Sequence, residues 1–507
     1  MTMNELWRND RSLLAEPTSP ELRDRAPAGP LGAAEDHEGN YLSPEEIHAW
    51  APYKSLPEPS QRREALRGRL LDIGCWTPAQ IAGRRWSIGC VSLEITQRCN
   101  LDCTLCYLSE HSEAVRDVPL EELFRRIEII YAHYGENTDV QVSGGDPTLR
   151  AKEDLIQIVR RITAKGMRAS LFTNGILASR TLLSDLCRAG LVDVAFHVDL
   201  TQQRKGYRSE ADLNALRQKY IERARGLPLS VMFNTTVFAG NFHQLPALVR
   251  FFRSNADMVR LISFQLQADT GRGVLRQRDV LITQDSVIEQ IHQGSGTSLC
   301  FDTLAVGHPR CNKYAMAFEI NGQLYDFLDD PGFIVPLLNQ TAEVQFDRRN
   351  RRAAVLSALR AFAKAKGLWW RGAKWLARTL WLARQDLWAS RGRINKLSFV
   401  VHNFMDGCKL ERERLEGCVF MVATADGPMS MCMHNAKRDD YVLRPVKLNT
   451  PAGLKIWDPL GGISAAGDIR EVPPTERAVQ TYPLKYLKGR SRAAVLERKG
   501  AARHDEP

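Results

Sequence analysis

From residue 90 to about 275, short apolar and β-branched runs recur along the chain. They occupy 91–96 (VSLEIT), 138–143 (TDVQVS), 169–173 (ASLFT), 193–198 (DVAFHV), 229–238 and 259–267 (VRLISFQLQ). Between the later runs, apolar residues return at helical spacing over 152–165 (KEDLIQIVRRITAK), 181–189 and 210–225. Strands that alternate with helices predict a parallel sheet, because parallel neighbours need crossover connections. Six such units predict an α/β fold of partial (β/α)6 barrel type, with its active site at the C-terminal ends of the strands.

Outside this core the pattern changes. Residues 1–60 are rich in Pro, Glu, Arg and Ala and predict a loosely ordered segment. One helix is expected in it, where Ser43-Pro44-Glu45-Glu46 supplies an N-cap, a first-turn proline and a capping glutamate. A helical lead-in follows over 61–87, then the core over 88–290, a β-rich junction over 291–347 and a C-terminal α+β extension with several cysteines over 397–485. A basic tail, 486–507, ends the chain. The segment 348–396 stands apart, with fourteen Lys or Arg, one acid (Asp386) and five of the ten tryptophans. Within it Leu368, Leu376, Leu380, Ala383 and Leu387 recur at helical spacing. A basic amphipathic helix with tryptophans suits the interface of an anionic membrane, a single-stranded nucleic acid, or a core face with a solvated basic side.

Composition narrows the class. The chain has 507 residues, 44% hydrophobic, and a net charge of +10. Its eleven cysteines are odd in number and scattered, and the N-terminus lacks a basic-then-apolar secretory layout. These features argue against a disulfide scaffold and for a cytoplasmic location, with peripheral contact at the inner membrane surface. No uncharged apolar run reaches the ~20 residues of a transmembrane helix.

The chemistry concentrates at Cys99, Cys103 and Cys106, spaced C-x3-C-x2-C just after the first predicted strand. Three thiolates on one short loop can ligate three irons of a 4Fe–4S cluster and leave the fourth open. Electron-transfer clusters normally take four cysteines, whereas an open position serves chemistry. Ser143-Gly144-Gly145-Asp146-Pro147 ends the second strand, with glycines that allow close backbone approach and a carboxylate suited to an ammonium.

These motifs resemble the radical S-adenosylmethionine (SAM) superfamily over roughly 88–280. Leu105 stands where that family usually has an aromatic residue, and Asp146 where it usually has glutamate. The resemblance implies that the open iron binds the amino and carboxylate groups of SAM, that Gly144, Gly145 and Asp146 contact the amino group, and that a 5′-deoxyadenosyl radical takes hydrogen from a substrate. Thr173, Asn174, Asp199, Asn234 and Gln265 at later strand ends are expected to face SAM or substrate. An electron donor such as flavodoxin or ferredoxin is also implied.

Cys408, Cys418 and Cys432, with an Asp426-Gly427 hairpin signal between the last two, resemble auxiliary-cluster segments of such enzymes. With Cys311 they form the expected ligand set of a second iron–sulfur cluster. Cys75, Cys90, Cys187 and Cys300 show no ligand spacing and are expected to be structural. Further short motifs resemble the tetraether lipid synthase and molybdenum-cofactor-type branch. They are Ile262-Ser263-Phe264-Gln265, Gly271-Arg272, His308-Pro309-x-Cys311, His402 to Asp406, and Cys432-Met433-His434-Asn435. That resemblance implies a lipid hydrocarbon substrate, with peripheral membrane contact through 368–388. A peptide-, cofactor- or RNA-modifying enzyme and a non-catalytic iron–sulfur protein remain the alternatives.

Overall fold

The computed structural model describes residues 40–54, 89–273, 275, 278, 280–341, 351–451 and 453–465, with a few helical positions between 65 and 72. Most of the expected lead-in, Cys75 and the basic tail lie outside the described residues. Helix α1 (Pro44–Ala49) begins at the expected capping box, with Ser43 and Glu46 satisfying each other's backbone N–H.

The core strands are β1 (Cys90–Thr96), β2 (Asp139–Gly144), β3 (Arg168–Thr173), β4 (Asp193–His197), β5 (Ser230–Val237) and β6 (Val259–Leu266). They pair in parallel and in chain order. The connecting helices are α2 (Leu120–Tyr134), α3 (Lys152–Ala164), α4 (Arg180–Ala189), α5 (Asn214–Ala224) and α6 (Leu245–Ser254), and α7 (Gln284–Ser295) follows β6. Each lays an apolar stripe on the sheet. In α2 it is Leu123, Ile127, Ile130 and Tyr134, spaced i, i+4, i+7, i+11.

The strands largely alternate in character, with Phe172, Ala195, Met232 and Leu261 as apolar exceptions on the concave side. Val91, Leu93 and Ile95 of β1, Val194 and Phe196 of β4 and Ile262 and Phe264 of β6 enter the main core beneath the helices. The intervening residues Glu94, Ser143, His197, Asn234 and Gln265 take the opposite face. The helix-covered side is therefore hydrophobic, each fully buried aliphatic contributing about 1.5–3 kcal/mol. The concave side is mainly polar.

The extension completes this sheet as well as adding to it. Strands β7 (Asn312–Ile320) and β8 (Gln323–Asp326) form a hairpin, and β9 (Asn395–His402) runs parallel to β6 and antiparallel to β7. At the other edge β10 (Phe420–Ala423) runs parallel to β1, and β11 (Pro428–Ser430) closes the Asp426-Gly427 hairpin. The result is one eleven-stranded sheet in the order β11-β10-β1-β2-β3-β4-β5-β6-β9-β7-β8. Strands β10 and β9, near opposite ends of this order, approach each other where the Phe420 ring lies 4.8 Å from that of His402. Strands β12 (Val446–Thr450), β13 (Gly453–Asp458) and β14 (Gly462–Ala465) form a separate sheet.

A helical insertion separates β8 from β9. It comprises α8 (Pro331–Gln340), α9 (Arg351–Lys364), α10 (Trp369–Leu382) and α11 (Arg384–Ala389). Leu328, Phe333, Ile334, Ala365 and Leu368 form its own small core, with Trp375 and Phe362 packed on it. The expected single apolar stripe of α10 is two stripes here. Leu368 and Ala383 are buried, while Leu376 and Leu380 are exposed. Gly372 explains the inward choice, because a Cβ there would meet the Phe362 ring at 2.4 Å. No helix among the described residues is long and apolar enough to cross a membrane. Three short helices, α12 (Arg412–Glu416), α13 (Met431–Ala436) and α14 (Arg438–Val442), complete the extension.

Candidate active site

Cys99, Cys103 and Cys106 lie on the loop that leaves β1, and four other segments hold that loop across the strand ends. After β4, the Thr201 carbonyl accepts from Thr104 N at 2.8 Å. From β3, Asn174 Nδ2 donates to Asn100 Oδ1 at 2.6 Å. Toward β2, the Tyr107 hydroxyl donates to the Gly144 carbonyl at 2.6 Å. The segment after β6 pairs with the loop through Arg272 N to Leu108 O, Gly273 N to Cys106 O and Leu275 N to Thr104 O. Gly271 makes this pairing possible. Its φ is +54°, and a Cβ would lie 2.3 Å from the Tyr107 carbonyl oxygen.

The thiols are desolvated and act on one another. Burial pushes Cys99 up to about 12, with Cys106 adding to the effect. Burial also raises Cys103, and Cys106, Cys99 and Asp199 reinforce the shift. Burial opposes the charge on Arg272, but Cys106 and Asp102 outweigh it and raise that guanidinium's pKa. Three thiols gathered beside a single guanidinium suit a metal cluster, which supplies the positive charge that three thiolates need. Among the described residues no three His, Cys, Asp or Glu side chains surround one point as ligands of a single ion would. A cluster instead spreads its thiolates over several irons.

The expected SAM residues sit beside this loop. Gly144 and Gly145 let neighbouring backbone approach closely. A Cβ on either would lie 2.0 Å from the Thr96 or the Arg98 carbonyl oxygen respectively. Asp146 is fully buried and does not present a free carboxylate. It accepts from Thr148 N (2.9 Å), the Thr148 hydroxyl, the Thr173 hydroxyl (2.8 and 3.0 Å) and Asn174 N (2.8 Å). Its short arm ends on the protein's own donors and ties the end of β2 to that of β3. Asn234 and Gln265 stand further round the polar face, in register with His197 and His402.

On that face His197 and Glu94 carry no sequence motif, whereas Asp199 was expected at its strand end. His197 Nε2 lies 2.7 Å from Asp199 Oδ2, and Asp199 also accepts from Thr201 N and Thr236 N. Burial opposes the Asp199 charge, but His197 and these hydrogen bonds hold it down to about 2. On β1, Glu94 accepts two bonds from Arg438 Nη1 (2.7 and 2.9 Å) and one from Gln97 (2.9 Å). Burial again opposes the charge, and Arg438 holds Glu94 down to about 2. The Arg438 guanidinium lies 4.6 Å from the centre of the Tyr107 ring. The available signal was polar residues at every second position of β1, Ser92, Glu94 and Thr96, in an otherwise apolar strand.

The second cysteine group assembles only in part. Cys311, Cys418 and Cys432 line one cavity at the seam of the sheet, with Phe404, Met405 and Arg414. Arg414 Nε lies 3.2 Å from Cys311 Sγ. Burial raises all three thiols, Cys432 to about 12. Cys408 is exposed and does not line the cavity. The 406–409 turn, pinned by Gly407 N to Asp269 O (2.9 Å) and Lys409 N to Asp406 O (3.1 Å), carries it outward. Cys90 and Cys187 are buried and Cys300 is half-buried, apart from both groups.

Residues 93–251 match the model of the radical SAM superfamily, and this part of the chain is a radical SAM domain. The 7,8-dihydro-6-hydroxymethylpterin dimethyltransferase of Methanocaldococcus jannaschii is 29% identical over 187 residues, 36% of this chain and 37% of that protein. The probable GTP 3′,8-cyclase of Pyrococcus abyssi is 33% identical over 177 residues, 34% of this chain and 56% of that protein. The chain thus spans from about a third to just over half of the length of these relatives. The structure of SuiB from Streptococcus suis bound to S-adenosylmethionine aligns with a TM-score of 0.31 and 15% identity, covering 40% of this chain and 46% of that one. The family implies a 4Fe–4S cluster and SAM.

Proposed function

We propose that this protein is a radical SAM enzyme whose Cys99, Cys103 and Cys106 hold a 4Fe–4S cluster beside a SAM site at the strand ends. The observation that carries this reading is the cysteine loop itself, which four segments tie across the mouth of the sheet with its thiols gathered and desolvated. When bound, the cluster and SAM supply a 5′-deoxyadenosyl radical by reductive cleavage, and that radical takes a hydrogen atom from the substrate. The chain's own residues shape the site. Gly144, Gly145, Asp146, Thr173 and Asn174 fix the β2 and β3 ends, while Asn234, Gln265 and His197 offer polar contacts from the concave face. Desolvation shields a radical from water. The reductant is a small electron carrier such as flavodoxin or ferredoxin.

A second iron–sulfur cluster on Cys311, Cys418 and Cys432 belongs to this proposal, with Cys408 left out of its ligand set. The proposed substrate is a lipid hydrocarbon chain, met at a membrane surface. The exposed apolar helices beside the concave face support it. The relatives' names favour a second reading, a nitrogen heterocycle such as a pterin or a guanine nucleotide.

The test is anaerobic incubation of the reconstituted protein with dithionite and SAM, followed by mass spectrometry. Formation of 5′-deoxyadenosine, raised by extracted lipid, is expected. Enhancement by GTP or a pterin instead would move the substrate to the second reading. A filled cluster with no SAM binding would overturn the reaction class.

A further inference from the structure

The insertion α8–α11 has two apolar faces, and only one is used inside the molecule. Leu368, Gly372, Trp375 and Thr379, spaced i, i+4, i+7, i+11, form the inward stripe, and the Trp375 indole donates to Asp329 Oδ1 at 3.0 Å. One residue along, Trp369, Leu376 and Leu380 repeat the same spacing on the outside. Trp370 and Trp388 are 83% and 87% exposed, and Trp381 and Leu382 join them. Helix α9 extends the surface with exposed Val355, Leu356 and Leu359. Scattered exposed apolar residues are ordinary, but so many on three successive helices mark an interaction surface.

Charge identifies the partner. Residues 348–396 hold fourteen Lys or Arg and one acid. That acid, Asp386, is turned inward, where it accepts from Asn321 Nδ2 (2.9 Å) and the Tyr325 hydroxyl (2.6 Å). Arg384 stacks 4.2 Å from the Trp381 ring centre. On α10 the exposed Lys374 lies one turn from Trp370, on the flank of the helix that carries Trp370 and Trp381. Tryptophans at the headgroup level, aliphatics beneath them and cations facing anionic headgroups form the layered order of a bilayer interface. A nucleic acid would use the tryptophans and cations but has no use for the six exposed Leu and Val side chains.

We propose that the outer face of α9–α11 docks on an anionic phospholipid bilayer. The small core of the insertion takes in Tyr314 and Met316 of β7, which lie on the strand face opposite the main-core Ala315 and Ala317. The Tyr314 hydroxyl is 2.9 Å from Ser398 Oγ of β9. Docking therefore sets the bilayer beside the edge of the polar concave face. The proposal deepens the lipid reading above and rests on it for the substrate, whereas docking itself requires neither cluster nor SAM.

The experiment is flotation of the full chain with vesicles of phosphatidylcholine, alone or mixed with phosphatidylglycerol. Binding to the mixed vesicles, weakened by salt and retained by Cys103→Ala, is expected. The double variant Trp370→Ser/Trp388→Ser should lose about tenfold in bound fraction, because two exposed indoles no longer enter the interface. Lys374→Glu, which leaves the apolar face intact, should weaken binding to mixed vesicles alone. All three side chains are exposed, and an unchanged Tm confirms that the fold is kept. No flotation, flotation unaffected by both variants, retention on single-stranded RNA in its place, or a dimer that the tryptophan variant dissolves would each overturn the proposal. Flotation without 5′-deoxyadenosine formation would instead count against the radical chemistry.

Discussion

The two cysteine groups are built in opposite ways. Cys99, Cys103 and Cys106 fall within eight residues, and the backbone of neighbouring strand ends straps them in place through glycines that admit no side chain. Cys418 and Cys432 flank the β10–β11 hairpin, Cys311 comes from before β7, and the three line one cavity between β9 and β10. The first is a loop whose geometry is local. The second depends on Cys311 being brought to the β10–β11 hairpin, a contact between parts far apart in the chain.

The strongest break in the comparison is Cys103→Ala. With one thiolate gone, 5′-deoxyadenosine formation should fall below detection by mass spectrometry, while the fold keeps its melting temperature within a few degrees. Activity near that of the unaltered protein would remove the loop from the chemistry.

Next in size is the seam. Cys432→Ala should lower iron per reconstituted chain from about eight to about four, whereas Cys408→Ala should leave it unchanged. Equal losses in both variants would restore Cys408 as a ligand. The separation of Cys408 from the cavity has a physical origin. Ten residues from Cys418 in sequence, it seemed a natural partner, but a turn pinned by Asp269 carries it outward. Sequence proximity groups Cys418 with Cys432 across one hairpin but does not show that Cys408, nearer to Cys418, turns away.

The same division runs through the fold. Strands β1–β6 were legible to within two residues, because short β-branched runs bounded by helices have few other solutions. That β7, β9 and β10 would extend the same sheet was not, since their partners lie far away in the chain. In α10 the helical period was clear but not which of two adjacent stripes faces inward. Gly372 settles that by admitting the Phe362 ring, a choice that needs the neighbour to be known. At Asp146 the motif was visible and its surroundings were not. Thr148, Thr173 and Asn174 take up the carboxylate.

The two regions are joined through Arg438, two residues beyond the end of α13, which pairs with Glu94 and covers Tyr107. Glu94→Gln tests the joint. Removing one partner of a buried pair typically costs about 3–5 kcal/mol, here read as a lower midpoint in urea. The pH dependence has a definite sign. Glu94 is held near 2 against an ordinary 4.5 by Arg438, while burial and Arg438 push the facing His434 down to about 3 and keep it neutral above that. Its contribution is complete above about pH 4.5 and lost as pH falls toward 2, about 3 kcal/mol in all. Glu94→Gln should lack that slope, and an identical acid profile would show that the carboxylate is not held in this way.

Gly145→Ala asks how rigid the first site is. Its Cβ would stand 2.0 Å from the Arg98 carbonyl oxygen, so β1 and β2 must part at the point where the cysteine loop begins. A cost of about 1–3 kcal/mol is expected, with a drop in SAM cleavage larger than the stability loss explains. A matching change at Gly407, where the nearest heavy atom would be 3.6 Å away, should be mild.

The smallest effect is expected at Tyr107, and it separates two ways the regions could communicate. The ring stacks under Arg438 from the C-terminal side, and the hydroxyl holds the Gly144 carbonyl on the cluster side. Tyr107→Phe keeps the stacking and removes only the hydrogen bond. A neutral hydrogen bond is worth about 1 kcal/mol net, so SAM affinity by equilibrium dialysis should weaken about fivefold or less, with iron content unchanged. Tyr107→Ala also strips the cover from Arg438, whose charge is otherwise met by Glu94 and Asn435. It should lower the urea midpoint as well as SAM affinity. If the two variants were equal in both readouts, the ring would carry nothing between the regions, and the hydroxyl on Gly144 would be the whole of the link.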